Sequence, residues 1–197
     1  VIEERIVEFA ELDVYIDQPV RTYSSQFRDV PATAWYADTV ARAYSYGLIQ
    51  GESKTAFEPG GNLTIAECVT LAARLHSTYA GDHMKFTQGK PWYQVYVDYA
   101  MDNRILLKEQ SNYNRKINRA LFAQILARAL PEEVLPAVND VPDGAIPDVT
   151  EDLSAYKAIY RLYRAGVLMG NDKLGSLYGI QIDPDDIELG WPYDGMV

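Results

Sequence analysis

The chain has 197 residues, 48% of them apolar, which is enough for a packed core in one large domain or two small ones. Its formal net charge of −10 excludes general nucleic-acid binding, which needs a basic footprint. The single cysteine, Cys68, excludes an internal disulfide and a cysteine-based zinc site.

In chain order, the segment "VIEERIVEFAELD" is charged and amphipathic, unlike a signal peptide. Ile2, Ile6, Val7 and Phe9 predict a helix there, with a linker running to residue 26. A first unit is expected over residues 27–80. Tyr36, Val40, Ala43 and Tyr44 fall on one stripe of a helix that Gly47 stops. The loop "QGESKTAFEPGGN" follows, with Phe57 expected to fold back as its anchor. A second helix starts at "LTIAE", where Thr64 and Glu67 have capping-box spacing. Its apolar face is Ile65, Cys68, Val69, Ala72 and Leu75, so Cys68 reads as a buried small hydrophobe rather than a nucleophile.

A second unit is expected over 81–138. "INRALFAQILARAL" matches "LTIAECVTLAARL", with Asn118 at the cap position of Thr64 and Phe122, Ile125, Leu126 and Ala129 on the apolar stripe; Pro131 ends the helix. A third is expected over 139–197, without a visible second helix, and the N-terminal helix is the candidate to fill that place. No apolar run reaches the 18 residues that a membrane-spanning helix needs.

The units are related. Asp29-Val30 recurs as Asp148-Val149, 119 residues on (148 less 29), and "GLIQG" recurs as "GVLMG" at the same spacing. Trp35-Tyr36 recurs as Trp92-Tyr93, 57 residues on (92 less 35), where Arg104 replaces the first glycine. Helix-loop-helix units cannot bury their apolar faces alone and must stack. The expected fold is all-α, three such repeats in a pseudo-threefold helical bundle.

The residues "FRDV", "WY", "GLIQG", "FEP" and "LTIAE", then "WY" and "INRAL", then "IPDV" and "GVLMGND" resemble the S-layer homology domain. The resemblance spans roughly residues 27–179. It implies a three-pronged helical spindle on an exported bacterial protein, bound non-covalently to a pyruvylated secondary cell-wall polysaccharide or another peptidoglycan-linked glycan. Other surface-layer proteins are further candidate partners, and the implied location is the cell wall or S-layer. It further implies grooves between units, with the arginine of a T-R-A-E motif as the main anion contact, helped by an aromatic and by backbone near the G-[IL] turn. Here Ile65 stands at that position in the first unit, Arg119 keeps it in the second with Leu121 in place of the glutamate, and the third unit shows no such motif.

Candidate ligand-binding residues are Arg119, Lys116, Trp35, Trp92, Gly47 and Gly166. Arg119 offers a planar fork suited to a carboxylate and sits with Arg115 and Lys116 in the one locally basic stretch. Trp35 and Trp92 either stack on a sugar or, in their ordinary role, anchor the core at a helix start. Gly47 and Gly166 are helix stops whose amides are a second possible contact. Asp29 and Asp148 are read as caps of local backbone amides rather than catalytic groups. Asp183, Asp185 and Asp186 lack EF-hand spacing, and His76 and His83 are not a helical metal pair. No phosphate loop or serine elbow is present, and no cofactor or metal is expected. The leading expectation is a non-catalytic anchoring module. A degenerate scaffold serving protein interactions is the alternative, and a wall-active hydrolase a third.

Overall fold

A computed structural model describes residues 19–82 and 84–168, together with 176–177 and 180–181. The expected N-terminal helix, His83 and the acidic tail lie outside these residues. The described chain is helical: α1 (Ala37–Ser45), α2 (Ile65–Ala80), α3 (Gln94–Asp102), α4 (Arg119–Ala129) and α5 (Tyr156–Arg164), with a 3-10 turn at Glu132–Val134. The all-α expectation holds, apart from a two-residue antiparallel pair, β1 (Ser176–Leu177) and β2 (Ile180–Gln181). The chain divides into two compact units, Val1–Gly61 with Val69–Gln110, and Asn62–Cys68 with Ser111–Val197.

The short helices α1, α3 and α5 begin and end alike. Each is entered through a turn, with the N–H of Ala37, Gln94 and Tyr156 donating three residues back to Ala34, Pro91 and Leu153. Each ends on a left-handed residue, Gly47 at φ +75°, Arg104 at +58° and Gly166 at +70°. That conformation turns the chain so that the next amides reach back to otherwise unpaired helix carbonyls. Ile49 N donates to Ala43 O, Leu106 N to Ala100 O, and Leu168 N to Leu162 O. Gly47 and Gly166 also sit under a preceding segment. A Cβ on Gly47 would lie 2.9 Å from Val20 Cγ2, and one on Gly166 3.2 Å from Val138 Cγ2.

In the first unit a small aromatic core forms around Phe27, Val30 and Val40. Phe27 meets Tyr44 edge-on at 5.5 Å and Phe57 at 5.7 Å, so Phe57 is the loop anchor its sequence suggested. Asp29 closes this loop, but not locally. Its carboxylate accepts from Phe57 N at 2.9 Å and Glu58 N at 2.7 Å, 28 and 29 residues away. The expectation of a local cap is corrected, because the F-E-P turn brings two adjacent amides to face the D-V turn. Those amides hold the Asp29 carboxyl below its ordinary value.

In the second unit α4 and α5 pack together over Ala123 and Ala127 on one side and Ile159, Leu162 and Tyr163 on the other. The alanines let the helices approach closely. Arg161 of α5 donates to the carbonyls of Ala127 and Leu130, placing a cation on the C-terminal end of α4. The start of α2 belongs to this unit. Thr64 N donates to Glu67 Oε2 at 2.7 Å and Glu67 N to Thr64 Oγ1 at 3.2 Å, a reciprocal capping box. Ile65 N and Ala66 N, two further unpaired donors of a helix start, go to Arg115 O and Tyr113 O at 3.0 and 2.9 Å.

Candidate functional site

The first unit holds an open pocket of about 480 Å³. Its rim carries Gly47 and Gln50 from the end of α1, and Val20 and Arg21 from the segment before the first repeat. Val20 N and Arg21 N both donate to Ser45 O, at 2.9 and 3.1 Å, which pins this segment over the helix end. The Arg21 guanidinium lies 4.6 Å over the Tyr44 ring and donates to Ile49 O at 3.4 Å. It therefore contacts two neutral groups while pointing into the pocket wall.

The opposite wall is aromatic and carries a second guanidinium. Phe86 stacks on Tyr96 at 4.6 Å with the rings 31° apart, and Trp92 meets Tyr96 edge-on at 6.4 Å. Arg74 of α2 donates to Tyr96 Oη at 2.8 Å and to Leu48 O at 3.3 Å, so its position is set by hydrogen bonds. Gln88 Nε2 reaches the same hydroxyl at 3.3 Å. Two guanidiniums, two amide side chains and stacked rings make a site suited to a polar ligand with an apolar face and a negative charge.

Behind this wall a polar relay holds the loop after α2. Ser77 donates to Asp82, and Met84 N to Ser77 Oγ at 2.9 Å. Tyr99 Oη donates to Asp82 Oδ2 at 2.7 Å, which leaves its oxygen to accept from His76 Nδ1 at 2.9 Å. Burial would raise the Asp82 carboxyl, but hydrogen bonds from Ser77, Tyr99 and Met84 and the nearby His76 hold it below its ordinary value. Burial and the Asp82 carboxylate push Tyr99 up to about 12. Cys68 is buried, and burial alone pushes its thiol up to about 12, which removes it as a nucleophile. Among the described residues no group of His, Cys, Asp and Glu is placed to hold a metal ion.

The residues singled out from sequence fall at different places. Trp35 precedes α1 and Gly47 follows it, so nine helical residues, about 13 Å of rise, separate them. Trp35 and Trp92 are not core anchors: they are 53% and 39% exposed. Each rests edge-on against the next residue, Tyr36 at 5.4 Å and Tyr93 at 5.7 Å, and the tyrosines rather than the tryptophans face inward. The Gly47 and Gly166 amides donate to Tyr44 O and Tyr163 O, both at 3.0 Å. In the second unit Arg119 is the exposed first residue of α4, behind the Asn118 cap whose Oδ1 accepts from Leu121 N at 2.8 Å. Lys116 is exposed three residues earlier and pairs through its backbone with Thr64 in an isolated antiparallel bridge. Ile65, at the motif-arginine position of the first repeat, is fully buried.

Arg21 and Arg74 were not among the sequence candidates. Arg74 left a trace, since "LAARL" at 71–75 aligns with "ILARA" at 125–129 and places Arg74 opposite Arg128. Arg21 left none: it lies in "QPVRTY", outside the repeat, and only the fold brings it to Gly47.

The S-layer homology domain matches residues 26–67. The chain is 30% identical over 137 residues to the surface-layer 125 kDa protein of Lysinibacillus sphaericus, covering 63% of this chain and 12% of that protein. It is 31% identical over 138 residues to the S-layer protein sap of Bacillus anthracis, covering 66% of this chain and 16% of that protein. A 55-residue stretch is 38% identical to an amylopullulanase of Thermoanaerobacterium thermosulfurigenes, covering 28% of this chain and 3% of that enzyme. The chain thus spans less than a fifth of the length of each of these relatives. Among the described residues no helix is long and apolar enough to cross a membrane. Residues 26–67 match the S-layer homology domain, and the location that goes with this match and with the S-layer relatives is the bacterial cell surface.

Proposed function

We propose that the chain is a non-catalytic anchoring module, built of three related helix-loop-helix units, that holds a protein to the cell wall by binding a pyruvylated secondary cell-wall polysaccharide. The observation that carries this reading is the pocket of the first unit, where an acidic chain gathers two guanidiniums against stacked aromatic rings. A pyruvate ketal presents a carboxylate to the former and a sugar ring to the latter. Arg119, with Lys116 beside it, is a second cation for the same polymer. Trp35 and Trp92 are exposed rings on which further sugars stack, and Gly47 and Gly166 shape the turns at which grooves open. The test is co-sedimentation with purified Gram-positive sacculi. The protein is expected in the pellet, to leave it when the wall polysaccharide is stripped chemically, and to be partly lost from it in Arg119→Ala. Wild-type protein that stays in the supernatant with every wall preparation defeats the proposal.

A second reading has one observation in its favour. The motif position of the first repeat is the buried Ile65, so that position offers a ligand nothing. A scaffold that has lost glycan binding and serves protein contacts fits this, and it predicts a folded protein that ignores sacculi.

A further inference from the structure

In the second unit, Val138 N and Asn139 N donate to Arg164 O at 2.7 and 2.8 Å, as Val20 N and Arg21 N do to Ser45 O in the first. Val138 covers Gly166 as Val20 covers Gly47. The equivalence places Asn139 opposite Arg21. Asn139 spends its amide on Tyr163 O at 3.0 Å, whereas Arg21 turns a charged fork toward a pocket. The linker before the first repeat therefore does something its counterpart does not.

We propose that Arg21, supplied by the linker ahead of the first repeat, is the carboxylate-binding residue of the pocket, and that Arg74 is its partner. This rests on the glycan-binding reading above and adds the residue that selects for the acidic group. The physical case has three parts. Arg21 is half-buried, and among the described residues its guanidinium meets the Tyr44 ring and donates one hydrogen bond, to Ile49 O at 3.4 Å, which leaves further N–H groups for a ligand. A partly desolvated guanidinium gains most from a carboxylate, through paired charge-assisted bonds. Arg74 is already engaged by Leu48 O and Tyr96 Oη, so it adds charge and one direction, while Arg21 retains the open fork. Backbone hydrogen bonds to Ser45 set where Arg21 stands, so the linker acts as part of the site.

The test uses calorimetric titration of the full chain with a methyl glycoside that carries a pyruvyl ketal and with its ketal-free counterpart. It is run in the Arg119→Ala background so that the other cation does not mask the result. That variant is expected to bind more weakly than wild type but still to prefer the ketal, and adding Arg21→Gln to weaken it about a further tenfold or more and erase that preference. Should Arg21→Gln lower the thermal midpoint, Arg21→Lys replaces it. Retained charge without the fork is expected to cost severalfold in affinity, and unchanged affinity overturns the proposal. If Arg119→Ala alone abolishes binding, or if the double variant binds like Arg119→Ala, Arg21 is not the carboxylate residue and the anchoring reading stands without it. If wild-type protein ignores the ketal sugar, both fall together.

Discussion

At the scale of single residues, backbone geometry explains more than side-chain chemistry. Arg104 occupies the left-handed conformation that glycine takes at the equivalent positions 47 and 166. For a residue with a Cβ that region costs roughly 1–2 kcal/mol, offset in part by the smaller entropy that arginine loses on folding. Arg104→Gly is therefore expected to stabilise the protein by about 0.5–1 kcal/mol, read as a rise of a few degrees in the thermal midpoint. A fall in midpoint would mean that the Arg104 side chain contributes more than its backbone costs. Asp29 is the second case. The amides of Phe57 and Glu58 hold its carboxyl below 3.8 in the folded state, while the unfolded chain keeps the ordinary value. The unfolded state then binds more protons as pH falls, so the stabilisation is complete above pH 3.8 and fades as pH drops through the lower folded value. Asp29→Asn should lower the thermal midpoint at neutral pH, and its gap to wild type should close as pH is taken below 3.8. A gap that is constant with pH would remove the ionised carboxylate from the explanation.

At the scale of elements, the start of α2 shows how a helix can be secured twice. Thr64 and Glu67 exchange hydrogen bonds, and the carbonyls of Arg115 and Tyr113 take the N–H groups of Ile65 and Ala66. Four donors that a helix start leaves open are thus satisfied without water. Because the second set does not depend on the Thr64 side chain, Thr64→Ala should cost about 1 kcal/mol rather than unfold the helix. Urea denaturation would show this as a lower midpoint concentration with an unchanged slope. No shift in midpoint would mean that the capping box is redundant. The buried Ile65 belongs to the same element. A cation there would be desolvated without a counter-charge, so the motif arginine cannot simply be restored by Ile65→Arg.

At the scale of the whole molecule, charge decides what kind of binding is possible. A chain of net charge −10 repels an anionic polymer at long range. On the proposed reading, attraction comes from guanidiniums held close to the ligand by neutral surroundings, as Arg21 is by Tyr44 and Ile49. Added salt screens both the general repulsion and the local attraction, but the partly buried pair is screened less. Retention on sacculi should therefore change little between about 0.05 and 0.2 M salt, within a Debye length of roughly 7–14 Å. A steep loss over that range would point to exposed surface cations as the main contacts.

The sequence alone determined the elements and their relatedness. Helical stripes, glycine stops and both helix caps are local features, and the forces that shape them act within a few residues. It also carried the resemblance to the S-layer homology domain, because the recurring D-V, W-Y and G-x-x-x-G positions lie at turns and helix ends, where the backbone restricts residue type. Tertiary structure alone decided which groups meet. Asp29 reaches amides 28 residues away, Trp35 and Gly47 end up at opposite ends of one helix, and Arg21 arrives from outside the repeat. The reason is physical: a cap or a stop is satisfied by its neighbours in the chain. A binding pocket is made from residues whose only common property is that folding points them at the same volume.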